Sequence, residues 1–219
     1  GGIRPPPVPP SHDHLHQAAE ELGKAQKTLV NLKKNPAYIR ISNIGDLSKA
    51  ELWCFSAAHK NLNNNKDDAG GYIIFLVNPE TGACAPLDWR ANKIKRRAHS
   101  TLAAETLALY VALDAAVAIR DMISEVTGSK INLQVKAIVD NKSCRDAIYS
   151  TTSVSERRLR AEIAVIQELH KERIISEVKW IRGQFMLADI MTKKGVNSLP
   201  LMSVMQSGEL SPGMMEVCR

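Results

Sequence analysis

Three strand-like runs follow one another, LWCF (52–55), YIIFLV (72–77) and ACAPLDW (83–89), and then the pattern changes to one long Ala- and Leu-rich stretch from about 100 to 126. The polar loop NLNNNKDDAGG separates the first two runs and the turn Pro79-Glu80-Thr81-Gly82 the second and third, so the three predict an antiparallel meander. Helix and strand alternate afterwards. A strand, INLQVKAIV, ends at Asp140, and a short helix runs from about Lys142 to Tyr149. Ser153 and Glu156 have capping-box spacing and open a helix to about Glu172, with Leu159, Ile163, Ile166 and Leu169 on its apolar face. The strand IISEVKWI, a turn at Gly183 and a helix holding LADIMTKK complete the order β-β-β-α-β-α-α-β-α. That order predicts an α/β fold, a mixed five-stranded sheet flanked by helices.

Upstream, residues 1–12 are Pro-rich and expected to be extended, and GGIRPPPVPP without a Met reads as an excised piece of a longer polypeptide. Residues 13–46 are expected to connect. Leu15, Ala18, Ala19, Leu22, Ala25, Leu29 and Leu32 recur at helical spacing between Asp13 and Lys34, and Asn35-Pro36 ends the run. A short strand, AYIRI, and a turn at Gly45-Asp46 lead into the main domain, 47–195, and 196–219 are read as a C-terminal tail.

The chain has 29 Lys plus Arg against 23 Asp plus Glu, which suits a polyanionic partner as well as a merely soluble basic protein. Cys54, Cys84, Cys144 and Cys218 lie far apart with no Cys-x-x-Cys pair, which argues against a zinc ribbon or a disulfide scaffold and fits a reducing, intracellular setting. No apolar run approaches the roughly 20 residues of a bilayer span, and no membrane partner is expected.

Three carboxylates stand out. Glu105, the only acid between Ala91 and Leu113, lies within roughly 60° of the helix face carrying Leu102, Thr106, Leu109 and Leu113. Alone, it is better read as a flank Glu reaching water or pairing with Arg96 or Arg97. Asp140 stands at a strand's carboxyl end, where ligands gather in open α/β sheets, yet an Asp there also caps helices. Asp189 falls in a helix's first turn, where the helix dipole alone favours it. The expected fold brings all three to one edge, and clustered carboxylates suit Mg²⁺ or Mn²⁺. Two such ions about 3.5–4 Å apart can activate water and stabilise a leaving oxygen in phosphodiester cleavage.

"RRAHSTLAAETLALYVALDAA", "VDNKSCRDAI" and "LADIMTKKG", in that order, resemble the ribonuclease H region of copia-type retrotransposon polyproteins. The similarity extends through "KTLVNLKKNP", "GDLSKAELWCFS" and "LMSVMQSGEL", covering about residues 14 to 210. The resemblance implies a ribonuclease H-like fold, and Mg²⁺- or Mn²⁺-dependent hydrolysis of RNA in RNA–DNA hybrids with Glu105, Asp140 and Asp189 as catalytic metal ligands. It also implies an upstream reverse transcriptase as partner, and a cytoplasmic or nuclear location or one within virus-like particles.

The family's first metal-binding acid lies in a pattern like Phe-Ser-Asp-Ala-Ala-His, where this chain reads Phe55-Ser56-Ala57-Ala58-His59. One residue is missing, the aspartate, and without a gap Ser56 takes its place. Asp46, Asp67 and Asp68 lie too far along flanking turns to substitute, and His59 is a poor ligand for Mg²⁺. Weak or absent cleavage is therefore expected, the alternative being a catalytically inactive binding or structural module of the same fold. An integrase core fits the order and LADIMTKK less well.

By the same resemblance Lys93, Lys95, Arg96, Arg97, Asn141, Arg157 and Arg158, with Arg90, Arg160, Lys193 and Lys194, line the path of the hybrid and touch mainly phosphates and 2′-hydroxyls. Solvated charge runs explain such clusters too. Trp89 and Trp180 are expected in the core.

Overall fold

A computed structural model describes residues 12–34, 36, 38–61, 68–96, 98–151 and 156–219. They divide into two units, residues 1–38 and 39–219.

In the first unit, helix α1 spans His12–Lys34, as its periodicity predicts. Lys33 and Lys34 close it, where the dipole favours cations, and Lys24 pairs with Glu20 and Glu21 on the turn before it. Leu22, Leu29 and Leu32 of the apolar row are exposed.

In the second unit, Tyr38 being the last residue of the first, the expected AYIRI strand does not form over the described residues 39–41. The Arg40 amide donates to the Met205 carbonyl instead, so this segment meets a helix end and has no strand ladder to join. Asp46 accepts from the Ser48 amide and opens a 3₁₀ turn, Leu47–Lys49. The sheet then runs through β1 (Glu51–His59), β2 (Ala69–Val77), β3 (Cys84–Lys93), β4 (Gln134–Val139) and β5 (Ile175–Trp180), in the order β3-β2-β1-β4-β5. β1–β2 and β2–β3 are antiparallel and β1–β4 and β4–β5 parallel, so the expected mixed sheet of five strands is present.

β1 is central and covered on both faces, which is why ELWCFSAAH carries little polar alternation. Leu52 and Cys54 enter one core with Leu109, Ala112, Leu113 and Ala116 of α2 (Thr101–Val126) and Ile166 of α4 (Arg160–Lys171). Helix α3 (Lys142–Tyr149) adds Cys144 and Ile148 to the same layer. Trp53, Phe55 and Ala57 enter the opposite core, where Phe55 and Phe75 meet edge to face at 6.1 Å.

That second core is roofed by segments beyond β5. A four-residue turn of helix, α5 (Asp189–Thr192), is followed by α6 (Leu199–Ser207) and α7 (Pro212–Cys218), which supply Leu201, Val204, Met205, Met214, Met215 and Cys218. The stretch expected as a tail thus carries two packed helices. By length and composition α2 could cross a bilayer, but half of its most apolar stretch is buried inside the protein. The four cysteines are separate, buried thiols, and burial pushes those of Cys144 and Cys218 up to about 12.

Lys136 ties the roof to the sheet. Buried on β4, its Nζ donates to the Cys218 carbonyl at 3.2 Å, lies 3.2 Å from Glu177 and 3.7 Å from Glu51, and stands 5.1 Å from the Trp53 ring centroid. Replacing it by Met fills the space but leaves both carboxylates and the helix end without their cation. Lys136→Met is expected to lower stability by about 1–2 kcal/mol. A shifted urea midpoint at unchanged slope is the reading that checks it.

Candidate active site

β1 does not stop at LWCF. It continues through Ser56-Ala57-Ala58-His59, pairing with Tyr72, Gly71, Gly70 and Ala69 of β2. Small residues are needed here because helices press on both faces. A Cβ at Gly71 would stand 2.5 Å from Met191 Cβ of α5, and one at Gly70 would stand 3.2 Å from Ile94 Cγ1 and 3.5 Å from Ala108 Cβ of α2. This close approach draws the helices carrying Glu105 and Asp189 onto the end of β1.

Glu105 is 4% exposed on α2, and its Oε2 accepts the Ala58 amide at 3.1 Å. The expected pairing with Arg96 does not occur, since Arg96 is bound to Glu162 and the Arg158 carbonyl; Arg97 lies outside the described residues. Burial first, then the charge of Asp140, pushes the Glu105 carboxyl up to about 8, against the opposing Lys193 charge and Ala58 amide.

Asp140 follows β4, and its carbonyl accepts the Trp180 indole N–H at 2.9 Å. Asp189, 8% exposed, opens α5. Between the two lies a cation: Lys193 Nζ is 2.7 Å from Asp189 Oδ1 and 3.6 Å from Asp140 Oδ2. Burial, chiefly, raises the Asp189 carboxyl above its ordinary range, and the Asp140 charge adds to that while Lys193 opposes it. Burial alone would lower the Lys193 ammonium, but its bond to Asp189 and the charges of Asp140, Asp189 and Glu105 hold it above its usual value. The three predicted acids are therefore one electrostatic unit, and His59 also acts on Asp189.

The strand faces separate Ser56 from Ala57. In the β1–β4 register Phe55 faces Ile138, and two residues further along each strand stand Ala57 and Asp140. Ala57 belongs to the face covered by α5, whereas Ser56 belongs by alternation to the α2 face with Cys54, and its buried Oγ has no hydrogen-bond partner. Ala57 rather than Ser56 is therefore the β1 residue that shares a face with Ile138. Asp68 holds the Asn61 and Ala98 amides and is not free to substitute.

The donor set does not fit the expected pair of divalent ions. Two of its three acids already share an ammonium, Lys193, the third accepts the Ala58 amide, and Ala57 offers no ligand atom. Counted formally, three carboxylates and one ammonium leave a net charge near −2, too little to hold two dications together. Among the described residues no group of three or more His, Cys, Asp or Glu side chains is arranged to hold a metal ion.

The basic residues divide. Arg90, Lys93, Lys95 and Arg96 rim a groove of about 340 Å³ floored by Gly70 and Gly71 and walled by Tyr110 and Val111 of α2. Arg158 Nη1 reaches His99 Nε2 at 2.8 Å, and Ser100, the N-cap of α2, donates to Glu156, so the Arg157–Arg158 turn and the segment before α2 are tied together. Glu156 accepts the Ser100 hydroxyl, and its expected capping-box partner Ser153 lies outside the described residues. Asn141 caps α3 by accepting the Cys144 amide. Trp89 and Trp180 are not core residues: they are 47% and 40% exposed because β3 and β5 are the sheet's edges, and Trp53 is the fully buried tryptophan.

No family model matches the chain, and no curated protein sequence matches it. Solved structures do. The N-terminal RNase H domain of a Mycobacterium tuberculosis protein, as a fusion protein with maltose-binding protein, superposes with a TM-score of 0.50 at 14% identity, covering 72% of this chain and 98% of that one. RNase H1 of the halophilic archaeon Halobacterium salinarum gives 0.48 at 16% identity over 64% and 93%. The protease-reverse transcriptase of prototype foamy virus gives 0.39 at 12% identity over 78% of this chain and 22% of that one. The sheet order, its flanking helices and the first of these likenesses define the class: the chain has the ribonuclease H fold. At that identity the likeness speaks for architecture, and the chemistry rests on this chain's own residues.

Proposed function

We propose that this chain is the ribonuclease H domain of a retrotransposon polyprotein, that it binds RNA–DNA hybrid, and that it cleaves the RNA strand weakly or not at all. The observation that carries the reading is the acid edge itself. Glu105, Asp140 and Asp189 form one electrostatic unit, which supports the catalytic roles that the resemblance implies for them, while Lys193 holds two of them and Ala57 offers no carboxylate. Binding is supported by the basic groove beside α2 and by the net charge of +6. The resemblance to copia-type elements supports an upstream reverse transcriptase as partner.

Binding and cleavage separate in one experiment. Fluorescence anisotropy with a labelled RNA–DNA hybrid in EDTA should show binding that weakens steeply with salt, about tenfold for each tenfold rise in salt per phosphate contact. Gels run in Mg²⁺ and Mn²⁺ should show the RNA intact. Rapid cleavage that Glu105→Gln abolishes would make the chain an active nuclease, and absence of binding at low salt would remove the hybrid as ligand.

A further inference from the structure

We infer that the Lys193 ammonium is the resident cation of this carboxylate cluster, so that the domain folds without divalent metal and resists taking one up while that side chain remains. The inference rests on the reading of the site as unsuited to a divalent pair, and not on hybrid binding. Lys193 is fixed at two points. Its backbone N–H donates to the Asp189 carbonyl at 2.9 Å, ending α5, and its side chain folds back over the same turn to lie 2.7 Å from Asp189 Oδ1 and 3.6 Å from Asp140 Oδ2. Both acid side chains are about nine-tenths buried and the lysine side chain about two-thirds, so the contacts are shielded from salt.

An incoming Mg²⁺ or Mn²⁺ must displace this contact and shed water, and Mg²⁺ dehydrates reluctantly. In exchange it gains the same two acids that the ammonium already holds, with Glu105 Oε2 engaged by the Ala58 amide. A tethered monovalent cation wins because it is already in place and because the cluster lacks the fourth carboxylate that would favour a higher charge.

The test compares the full chain with Lys193→Met, Lys193→Arg and the double variant Asp189→Asn/Lys193→Met, by thermal unfolding in EDTA and in millimolar Mg²⁺ or Mn²⁺ and by calorimetric Mn²⁺ titration. The unaltered chain should shift by less than about 1 °C between EDTA and Mn²⁺, while Lys193→Met should lose about 5 °C in EDTA and recover most of it in Mn²⁺. Its Mn²⁺ affinity should exceed that of the unaltered chain by about tenfold or more. Lys193→Arg should behave as the unaltered chain. The double variant should regain stability in EDTA and ignore Mn²⁺, which decides the matter even if Lys193→Met does not fold. Equal Mn²⁺ affinity in the unaltered chain and Lys193→Met, no loss of stability in Lys193→Met, or a double variant as unstable as the single one each overturns the inference. Failure of hybrid binding leaves these readings untouched.

Discussion

Ala57→Asp is expected to raise Mn²⁺-dependent cleavage of the RNA strand in an RNA–DNA hybrid by at least about 100-fold over the unaltered chain. Residue 57 lies two places past the Phe55–Ile138 pair, as Asp140 does on its own chain segment, and on the face that α5 covers, so a carboxylate there is expected to join Asp140 and Asp189. A further ionised acid shifts the balance from one ammonium towards dications, and a dication in turn favours ionisation of Glu105. In EDTA the same variant should be destabilised, since it buries a further acid among acids at a site now fully buried.

Insertion of Asp between Ser56 and Ala57 is a different experiment. It moves Ala57, Ala58 and His59 one place along β1 and so turns each to the opposite face, breaking the Ala58 amide's contact with Glu105. The substitution should therefore outperform the insertion. Cleavage assays on both, with Glu105→Gln added to the substituted chain as a control, decide it. A folded, Mn²⁺-binding Ala57→Asp chain that leaves the hybrid uncut would remove this edge as a nuclease centre.

Glu105→Gln, in the otherwise unaltered chain, is expected to stabilise the domain by on the order of 3 kcal/mol at pH 9 and to change it little at pH 5. Burial raises the folded-state value from 4.5 to about 8, so between these values the folded chain holds a proton that the unfolded chain has released. Stability is thus fully present below about 4.5 and is lost as pH rises through about 8. Asp189, also raised, acts in the same direction. Gln keeps an oxygen for the Ala58 amide and has nothing to ionise. Urea midpoints from pH 5 to pH 9 give the reading: a declining curve for the unaltered chain and a flatter one for the variant. Equal slopes in the two would mean that Glu105 is already ionised in the fold.

Much of the fold was legible in the order of periodicities. YIIFLV, INLQVKAIV and IISEVKWI could hardly be anything but strands, and the Ala- and Leu-rich stretch matches α2 almost residue for residue. AYIRI misled because β-branched composition does not supply a neighbouring strand, and Tyr38, Ile39 and Ile41 stay exposed. LPLMSVMQS and PGMMEVC carry no clear helical signal of their own because each helix is short, and their apolar side chains make sense only over a sheet face already present.

The identities of Glu105, Asp140 and Asp189 were available from the chain, since each sits at a recognisable point of its own element. The spacing of Asp189 and Lys193, four residues apart on a helix, was also there to be read as an ion pair, although nothing local says that Asp140 joins it. Which of Ser56 and Ala57 shares the face of Ile138 was beyond local reading: neighbouring residues of a strand point to opposite faces, so the choice requires the register with β4 and the position of α5. Local periodicity follows from backbone geometry and needs only nearby residues. Which charges meet depends on contacts between segments some 50 to 130 residues apart, and there burial and Coulomb energy acquire their size only once the sheet has closed over them.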